Sequence, residues 1–171
     1  MRDVRLIDIS LYYYLKDSLE SDGYTVHTKL SDEHVSSGIY LVDAYPDKTQ
    51  YIKTPLIALD FTGISREPFQ LGPGYTDYID YDIYIFGRTK GERDDLGFLV
   101  LTYFDGAKIP IYDYNLYFAS GGDLQLLGYI WPEITRLNVF ETAPIHENIE
   151  FVNRLFVSSR LDVSSGYSLL H

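Results

Sequence analysis

Three aspartates near the middle of the chain have the spacing that comes closest to a metal site. Asp77, Asp80 and Asp82 follow the pattern D-x-x-D-x-D, and carboxylate oxygens are the ligands that Ca²⁺ and Mg²⁺ prefer. The pattern lacks the central glycine and the closing glutamate of a calcium-binding loop. The acids alternate with large apolar residues, so a solvated strand face explains them better than a cation site.

The other chemical patterns also fail to define a site. No close pair or metal-ligand spacing is formed by the four histidines, His27, His34, His146 and His171. The glycine-rich segments 72–74 and 121–123 lack the context of a phosphate loop, and no G-x-S-x-G nucleophile motif occurs. Glu92 and Asp95 could act as an acid pair in hydrolysis, but a helix cap already explains Glu92. The sequence therefore assigns no catalytic, cofactor-binding or metal-binding residue.

Length and composition favour one domain over residues 1–171. The chain is 46% hydrophobic, which is enough for one core but leaves little room for two. It has no cysteine, so disulfides and thiolate ligands are excluded. No apolar run approaches the roughly 20 residues that span a bilayer, and the first residues lack the apolar segment of a signal peptide. We expect a soluble protein that is cytosolic where it is made and does not bind membranes.

The charge and the aromatic content suggest a surface for other proteins. The formal net charge is -11, which opposes binding to nucleic acid unless the protein surrounds a duplex that must move without sticking. The 17 tyrosines combine a large apolar ring with a hydroxyl that tolerates water, and such residues suit interfaces and half-exposed strands.

The elements that position these residues are clearest between Tyr78 and Asn115. Side chains alternate along the strand Tyr78–Phe86, with an apolar face at Ile79, Tyr81, Ile83 and Ile85 and an opposite face that we expect to be wet and negative. Thr89 and Glu92 then fit a capping box at the start of a helix. This helix has an inward stripe at Leu96, Leu99, Val100 and Tyr103.

The flanking elements complete an α+β pattern. Apolar residues spaced by four predict a helix from Asp3 to Asp22 that stops at Gly23. Strands are expected at 24–30, 39–45, 56–61, 109–114 and 147–164, with a turn at 72–74 and with Pro110 at a sheet edge or a bulge. We predict a mainly antiparallel sheet with two helices packed on one face, plus a long extended arm or hairpin insertion.

That insertion is the segment from Leu116 to His146. It is too apolar for a free loop, yet it shows no clean helical or strand period. We interpret it as an arm that packs on a neighbouring subunit, with an extra hairpin covering the chain's own core as the alternative. An arm should be removable, so we expect deletion of residues 120–143 to abolish assembly and leave the fold. The proposed contact residues are Leu126, Leu127, Tyr129, Ile130, Trp131 and Phe140.

The order of these elements resembles the tail terminator proteins of long-tailed bacteriophages, also called tail completion or neck proteins. The likeness rests on a helix with YYYLKDSL, a strand LIALDF, the segment PFQLG, the join IYIFGRTKGERDDL and the strand IPIYDYN. It covers Val4 to Asn115 and again Phe151 to Val163. The most suggestive parts are the join from Phe86 to Leu96 and the segment from Ile111 to Asn115.

The resemblance implies a virion structural protein that is not an enzyme and needs no cofactor. Members of the family assemble, usually as a hexameric ring, on the head-proximal end of the tail tube, within the host cytoplasm. The implied partners are further copies of the chain, the tail tube protein, the head–tail connector or head completion protein, and DNA that passes through the lumen. An acidic lumen would not hold DNA, and the candidates for its lining are Asp80, Asp82, Asp94 and Asp95.

Two other classes of function remain open. Another head–tail neck protein, such as a head completion, collar or tube subunit, would share the acidic ring but contact different neighbours. A small-ligand binding domain or an enzyme would need a concave site with convergent polar groups. A ring with a central hole would favour the virion reading, whereas a monomer with one deep polar pocket would favour the enzyme.

Overall fold

The computed structural model describes residues 4–33, 38–47, 52–68, 75–140 and 151–163, which form three helices and seven strands. The helices are α1 (Val4–Ser21), α2 (Lys90–Phe104) and α3 (Tyr114–Ser120). The strands are β1 (Thr25–His27), β2 (Gly38–Val42), β3 (Leu56–Pro68), β4 (Tyr75–Gly87), β5 (Ile109–Tyr112), β6 (Leu126–Phe140) and β7 (Phe151–Val163). No helix in the described ranges is long and apolar enough to cross a membrane. The predicted turn at 72–74 lies outside these ranges.

The strands form one mixed sheet in the order β1-β2-β3-β4-β7-β6-β5. The pairings β1–β2 and β2–β3 are parallel, and the four pairings from β3 to β5 are antiparallel. The predicted α+β class is confirmed, but the sheet is mixed and a third helix is present. The parallel part was missed because alternation along a strand marks its buried face and not the direction of its neighbour. Pro110 lies in the edge strand β5, as expected for a residue without a backbone N–H.

Helix α1 forms as its spacing predicts. Ile7, Leu11, Leu15 and Leu19 are all buried against the sheet. The helix ends in a Schellman motif, in which the N–H of Gly23 bonds to the Glu20 carbonyl and the N–H of Tyr24 bonds to the Leu19 carbonyl. Gly23 has a φ of +88°, a conformation that glycine adopts without the steric cost of a Cβ.

Helix α2 begins at the predicted cap. The Thr89 hydroxyl accepts a hydrogen bond from the Glu92 N–H at 3.1 Å. The Glu92 carboxylate accepts one in return from the N–H of Arg88, the residue before the cap, at 2.6 Å. Leu96 and Val100 of the predicted stripe are buried together with Phe104, whereas Leu99 and Tyr103 are half-buried. Helix α2 packs against β4 and β7 over the same hydrophobic cluster as α1.

One face of β4 enters this main core, and the other is less exposed than its sequence suggested. Ile79, Tyr81, Ile83 and Ile85 are buried as predicted. The opposite face was expected to be wet and negative, which is wrong for Asp82 and Phe86 because both are buried.

A second hydrophobic cluster explains this correction. It lies on the other side of the sheet and contains Tyr40, Ile52, Leu56, Ala58, Phe86 and Val152. The chain after β2 supplies part of its cover, since the Tyr45 ring lies 4.6 Å from that of Tyr84. Both faces of β4 are therefore covered at this end of the sheet. The alternation along its sequence indicated one buried face only, because it does not show what covers the other face.

The predicted arm is a strand of the chain's own sheet. Residues 126–140 form β6, which pairs with β7 along its length and with β5 near its start. Leu127 and Ile130 are buried in the main core, so they are not available to a neighbouring subunit. Residues 126–140 therefore cover the chain's own core, as the alternative interpretation held, whereas Tyr117, Phe118, Leu124 and Leu126 stay exposed and residues 141–146 lie outside the described ranges.

Two irregularities explain why β6 shows no strand period. The register shifts where β6 pairs with Tyr112 and again between Pro132 and Ile134. Each bulge moves the later side chains to the other face of the sheet. Core contacts accordingly pass from Leu127 to Ile130 and, after the second shift, to Leu137.

Deletion of residues 120–143 is therefore expected to destroy the fold, because it removes β6 and two core side chains. Near-ultraviolet circular dichroism and proton NMR should show loss of fixed tertiary structure. As a control, deletion of Gly122, which lies in an exposed loop, should keep native spectra. A folded protein after the large deletion would show that β6 is not part of the core.

Candidate functional site

The four acids proposed for a lumen do not share one surface. Asp80 and Asp82 lie on the face of β4 that points away from the helices, because Tyr81 between them and Ile83 after them point toward α1 and α2. Asp94 and Asp95 belong to α2 and therefore lie on the other side of the sheet. The four acids cannot line one lumen together, so that prediction is wrong as a set.

Asp82 is an internal ion-pair partner. Its side chain is 3% exposed, and its Oδ2 lies 2.5 Å from Nη2 of Arg154 on β7. The hydrogen bond from the guanidinium to Asp82 raises the pKa of Arg154. Asp60 stands opposite Asp82 in the register of β3 and β4, and burial, with a further contribution from Asp82, raises the pKa of Asp60. These three groups form a polar network within the sheet.

Asp94 fixes α2 to β7. Its Oδ1 accepts hydrogen bonds from Nε of Arg93 at 2.9 Å and from Nδ2 of Asn153 at 3.3 Å. Desolvation opposes the ionisation of Asp94, but these hydrogen bonds outweigh it and lower the pKa. Arg93 is itself buried and lies 5.9 Å from the centre of the Phe151 ring. Among the four proposed acids, Asp95 is exposed and Asp80 is half-buried.

Substitution of Asp82 by Asn should distinguish an internal ion pair from a lumen lining. We expect a loss of about 2 kcal/mol in the free energy of unfolding, because the half-buried Arg154 would lose its charged partner. Asp80→Asn, on the same face of β4, should change the free energy by less than about 0.5 kcal/mol. Urea denaturation measures both values, and equal small effects would contradict the pairing.

The predicted arm residues have divided roles. Leu126 is exposed, whereas Tyr129 and Trp131 are half-buried. The ammonium group of Lys108 lies 3.8 Å from the Tyr129 ring centre and 5.0 Å from that of Trp131, which is a cation–π arrangement within the chain. Phe140 pairs with Val152 through the backbone.

Two separate apolar surfaces are exposed instead. The first, called the strand-end surface, consists of Ile64 on β3 and Tyr75 on β4. The second, called the α3 surface, consists of Tyr117, Phe118, Leu124 and Leu126. Strand β7 lies between β4 and β6, so the strands of Tyr75 and Leu126 are two spacings, about 10 Å, apart, and the strand of Ile64 is one spacing further. An isolated apolar side chain at the surface needs no explanation, but two such groups on different elements are candidate contacts.

A groove of about 470 Å³ beside α1 shows what many of the tyrosines do. Tyr13 stacks on Tyr114 with ring centres 4.9 Å apart. The Tyr14 hydroxyl donates to the Tyr103 carbonyl, and the Tyr103 hydroxyl donates to Asp22. These tyrosines tie α1 to α2 and α3, which is a structural use of half-exposed rings.

A small pocket that no sequence pattern predicted lies beside β3, beyond the point where β2 stops pairing with it. Strand β2 pairs with β3 only as far as Ala58, so β3 is a sheet edge beyond that residue within the described chain. The pocket at this edge has a volume of about 160 Å³. Its polar lining is Asp8 from α1, Asp43 after β2, Asp60 from β3 and Tyr81 from β4. These residues are far apart in sequence, and no local pattern joins them.

The electrostatics of this edge pocket are unusual. Tyr81 is 2% exposed and its hydroxyl faces the Asp8 carboxyl, but no well-formed hydrogen bond joins them. The Tyr81 hydroxyl and Oδ1 of Asp8 are both buried and their contact is poorly aligned, but they are close enough for the Tyr81 hydroxyl to stabilise the Asp8 carboxylate. Burial raises the pKa of Asp8 to about 6; the Tyr81 hydroxyl opposes this shift, and Asp43 and Asp60 add to it.

One of the four histidines, His27, lies within the described residues. His27 stacks on Tyr40 with ring centres 4.9 Å apart, and the other three histidines lie outside the described residues. Within the described ranges, no three histidine or carboxylate side chains come close enough to hold a metal ion.

Comparisons with known proteins add no family. No protein-family model matches the sequence. No curated protein matches it either. The likeness to tail terminators therefore rests on the residues and on the order of elements.

The pocket makes the stability depend on pH in a defined direction. Because the pKa of Asp8 is raised in the folded state, its contribution to stability is full below its ordinary pKa of 3.8 and is lost as the pH rises through about 6. We expect Asp8→Asn to raise the free energy of unfolding at pH 7.5 by about 1 kcal/mol, a value reduced for partial exposure.

Denaturation at several pH values checks this expectation. The Asn variant should show a weaker pH dependence between pH 4 and pH 6.5 than the unmodified chain. Asp123→Asn, at an exposed loop position, should leave the profile unchanged. An unaltered profile in Asp8→Asn would show that Asp8 titrates normally.

Proposed function

We propose that this chain is a virion structural subunit that assembles head to tail into a ring, as a phage tail terminator does. The observation that carries the proposal is the presence of two different exposed apolar surfaces, the strand-end surface and the α3 surface. A ring uses heterologous contacts, in which one patch of each subunit meets a different patch of the next. A two-fold dimer would need only one self-complementary patch.

The shape of the strand-end surface suits such a contact. The outer halves of β3 and β4 are mostly exposed or half-buried. A bidentate ion pair between Arg66 and Asp77, with hydrogen bonds of 2.6 and 3.0 Å, connects the two strands there. The Arg66 guanidinium also lies 5.6 Å from the Tyr75 ring centre. These exposed contacts join β3 to β4 beside Tyr75, although a surface ion pair of this kind adds little to stability.

The charge of the chain supports a ring around DNA. A net charge of -11 disfavours binding to phosphate, since affinity for a duplex grows with the number of phosphates neutralised. The acidic residues that line the lumen of such a ring would all lie on one side of the sheet. The proposed neighbours are the tail tube protein on one side of the ring and the connector or head completion protein on the other, as the resemblance implies. Another neck protein would form a similar ring and would differ in the end of the tube or head that it joins.

Two charge substitutions test the head-to-tail arrangement. Tyr75→Glu should disable the strand-end surface, and Phe118→Glu should disable the α3 surface, so each variant alone should be monomeric by light scattering. An equimolar mixture should form dimers but no rings, because one intact surface of each kind remains. Phe98→Glu, at a residue of α2 that is 65% exposed, is the matched control and should assemble normally.

The contradicting outcomes are specific. If the unmodified chain is a monomer at all concentrations and does not join tail tube ends, the proposal fails. If the two variants each keep the native oligomeric state, the surfaces named here are not the contacts.

A further inference from the structure

We propose that the copies in the ring are joined by backbone pairing, in which the free edge of β6 (131–140) in one copy forms antiparallel hydrogen bonds with the free edge of β3 (61–68) in the next copy. This inference rests on the proposed ring and adds the kind of contact that holds it, with a second copy of this chain as the partner. One continuous sheet then runs through all the subunits.

Each free edge is a stretch of the sheet that has a strand on one side only within the described chain. Strand β5 pairs with β6 no further than Ile130, so residues 131–140 pair with β7 alone. On the opposite side of the sheet, β2 pairs with β3 only as far as Ala58, so residues 61–68 pair with β4 alone. About half of the backbone N–H and C=O groups in each stretch point away from the sheet, with no backbone partner among the described residues.

The sequence of the β6 edge gives it little protection against pairing. Soluble proteins blunt an edge strand with lysine, proline, other charges or bulges, and here Pro132 and the bulge before Ile134 do so only at the start of the free edge. The segment from Ile134 to Phe140, ITRLNVF, contains no lysine, proline or glycine, and its one charge is Arg136. Its β-branched and aromatic residues favour a strand, and an exposed edge of this composition is prone to aggregate. A specific partner strand therefore suits it.

The directions of the strands favour pairing between unlike edges. Strands β3, β4, β7 and β6 are neighbours in that order and each pair is antiparallel, so β3 and β6 run in opposite directions. A rotation about an axis roughly parallel to the strands keeps these directions, and the β6 edge of one copy then meets the β3 edge of the next in the antiparallel sense. A two-fold dimer through β6 would leave every β3 edge unpaired, whereas the head-to-tail arrangement uses both edges of each copy.

The strands that cover the rest of each edge leave room for this contact. Strand β2 lies beside the start of β3, where Leu56 is level with Phe140 through the paired residues Phe86 and Val152. Strand β5 covers β6 at the opposite end of the sheet. A neighbouring β3 that is displaced along β6 toward Phe140 therefore clears both β2 and β5. The strands of a sheet that closes on itself are staggered in this way.

The two exposed apolar surfaces flank these edges on the helix side of the sheet. Ile64 stands opposite Ile79, whose side chain faces the main core, so Ile64 lies on the same side of the sheet as the helices. Helix α3 contacts α1 on that side and precedes Leu126, the first residue of β6. Pairing of the edges brings the strand-end surface of one copy toward the α3 surface of the next, so backbone and side-chain contacts form together.

Hydrogen–deuterium exchange measured by mass spectrometry tests the backbone pairing. In rings of the unmodified chain, the outward amides of residues 134–140 and 61–68 should exchange at least about 10-fold more slowly than in monomers of Tyr75→Glu or Phe118→Glu. Strand β7 already has a neighbour on both sides, so its amides are the internal control and should change much less.

The dimer formed by an equimolar mixture of these two variants gives a sharper test. The Tyr75→Glu copy keeps its α3 surface, so slower exchange should appear at its β6 edge only. The Phe118→Glu copy keeps its strand-end surface, so slower exchange should appear at its β3 edge only. Labelling one copy with ¹⁵N separates the two sets of peptides. Slower exchange at the β6 edge of both copies would show two-fold pairing and overturn the inference.

Proline substitutions test the backbone of β6 directly. Successive N–H groups of a strand point to opposite sides, so Thr135→Pro and Arg136→Pro remove N–H groups from opposite edges. One substitution breaks a bond to β7, whereas the other removes only an outward N–H, which an edge strand tolerates. The variant that keeps the native urea midpoint should be monomeric by light scattering. Thr135→Ala and Arg136→Ala keep every N–H, so these matched controls should form rings.

The outcomes separate this inference from the ring itself. Rings that form without slower exchange at either edge, or that the outward proline leaves intact, would overturn the edge pairing and leave the ring standing. If the unmodified chain forms no rings, both proposals fail.

Discussion

Strand β4 constrains the rest of the structure because both of its faces are buried toward its C-terminal end. Ile83 and Ile85 face the main core beneath the helices, while Asp82 and Phe86 face the second cluster and its polar network. A strand covered on both sides needs neighbours on both edges, and β3 and β7 supply them along most of its length. Side chains of β4 therefore pack in a hydrophobic cluster or form an ion pair within the chain, unless they lie near the N-terminal end of the strand.

This burial limits which residues are exposed enough to contact another molecule. Asp82 cannot line a lumen because Arg154 holds it inside the sheet. Asp94 likewise serves the attachment of α2 to β7. The surfaces that stay exposed are the outer ends of β3 and β4, the outward side of α3, and the edge of β3 beyond the end of β2.

The sequence predicted the elements that obey one period and missed those that depend on distant neighbours. The spacing in α1, the cap at Thr89 and the buried face of β4 follow from local chemistry, and all three are confirmed. The strand β6 was missed because two bulges break its alternation. The edge pocket was also missed because its groups come from four elements, and only the tertiary fold places Asp8 opposite Tyr81. Local patterns carry no information about which distant side chains meet.

The central claim is that copies of this chain close into a ring, and negative-stain electron microscopy of the purified, unmodified protein tests it most directly. Images at micromolar concentration, alone and with tail tube protein, should show rings with a central hole that also occupy tube ends. Single small particles under both conditions, supported by a monomer mass from light scattering, would contradict the claim.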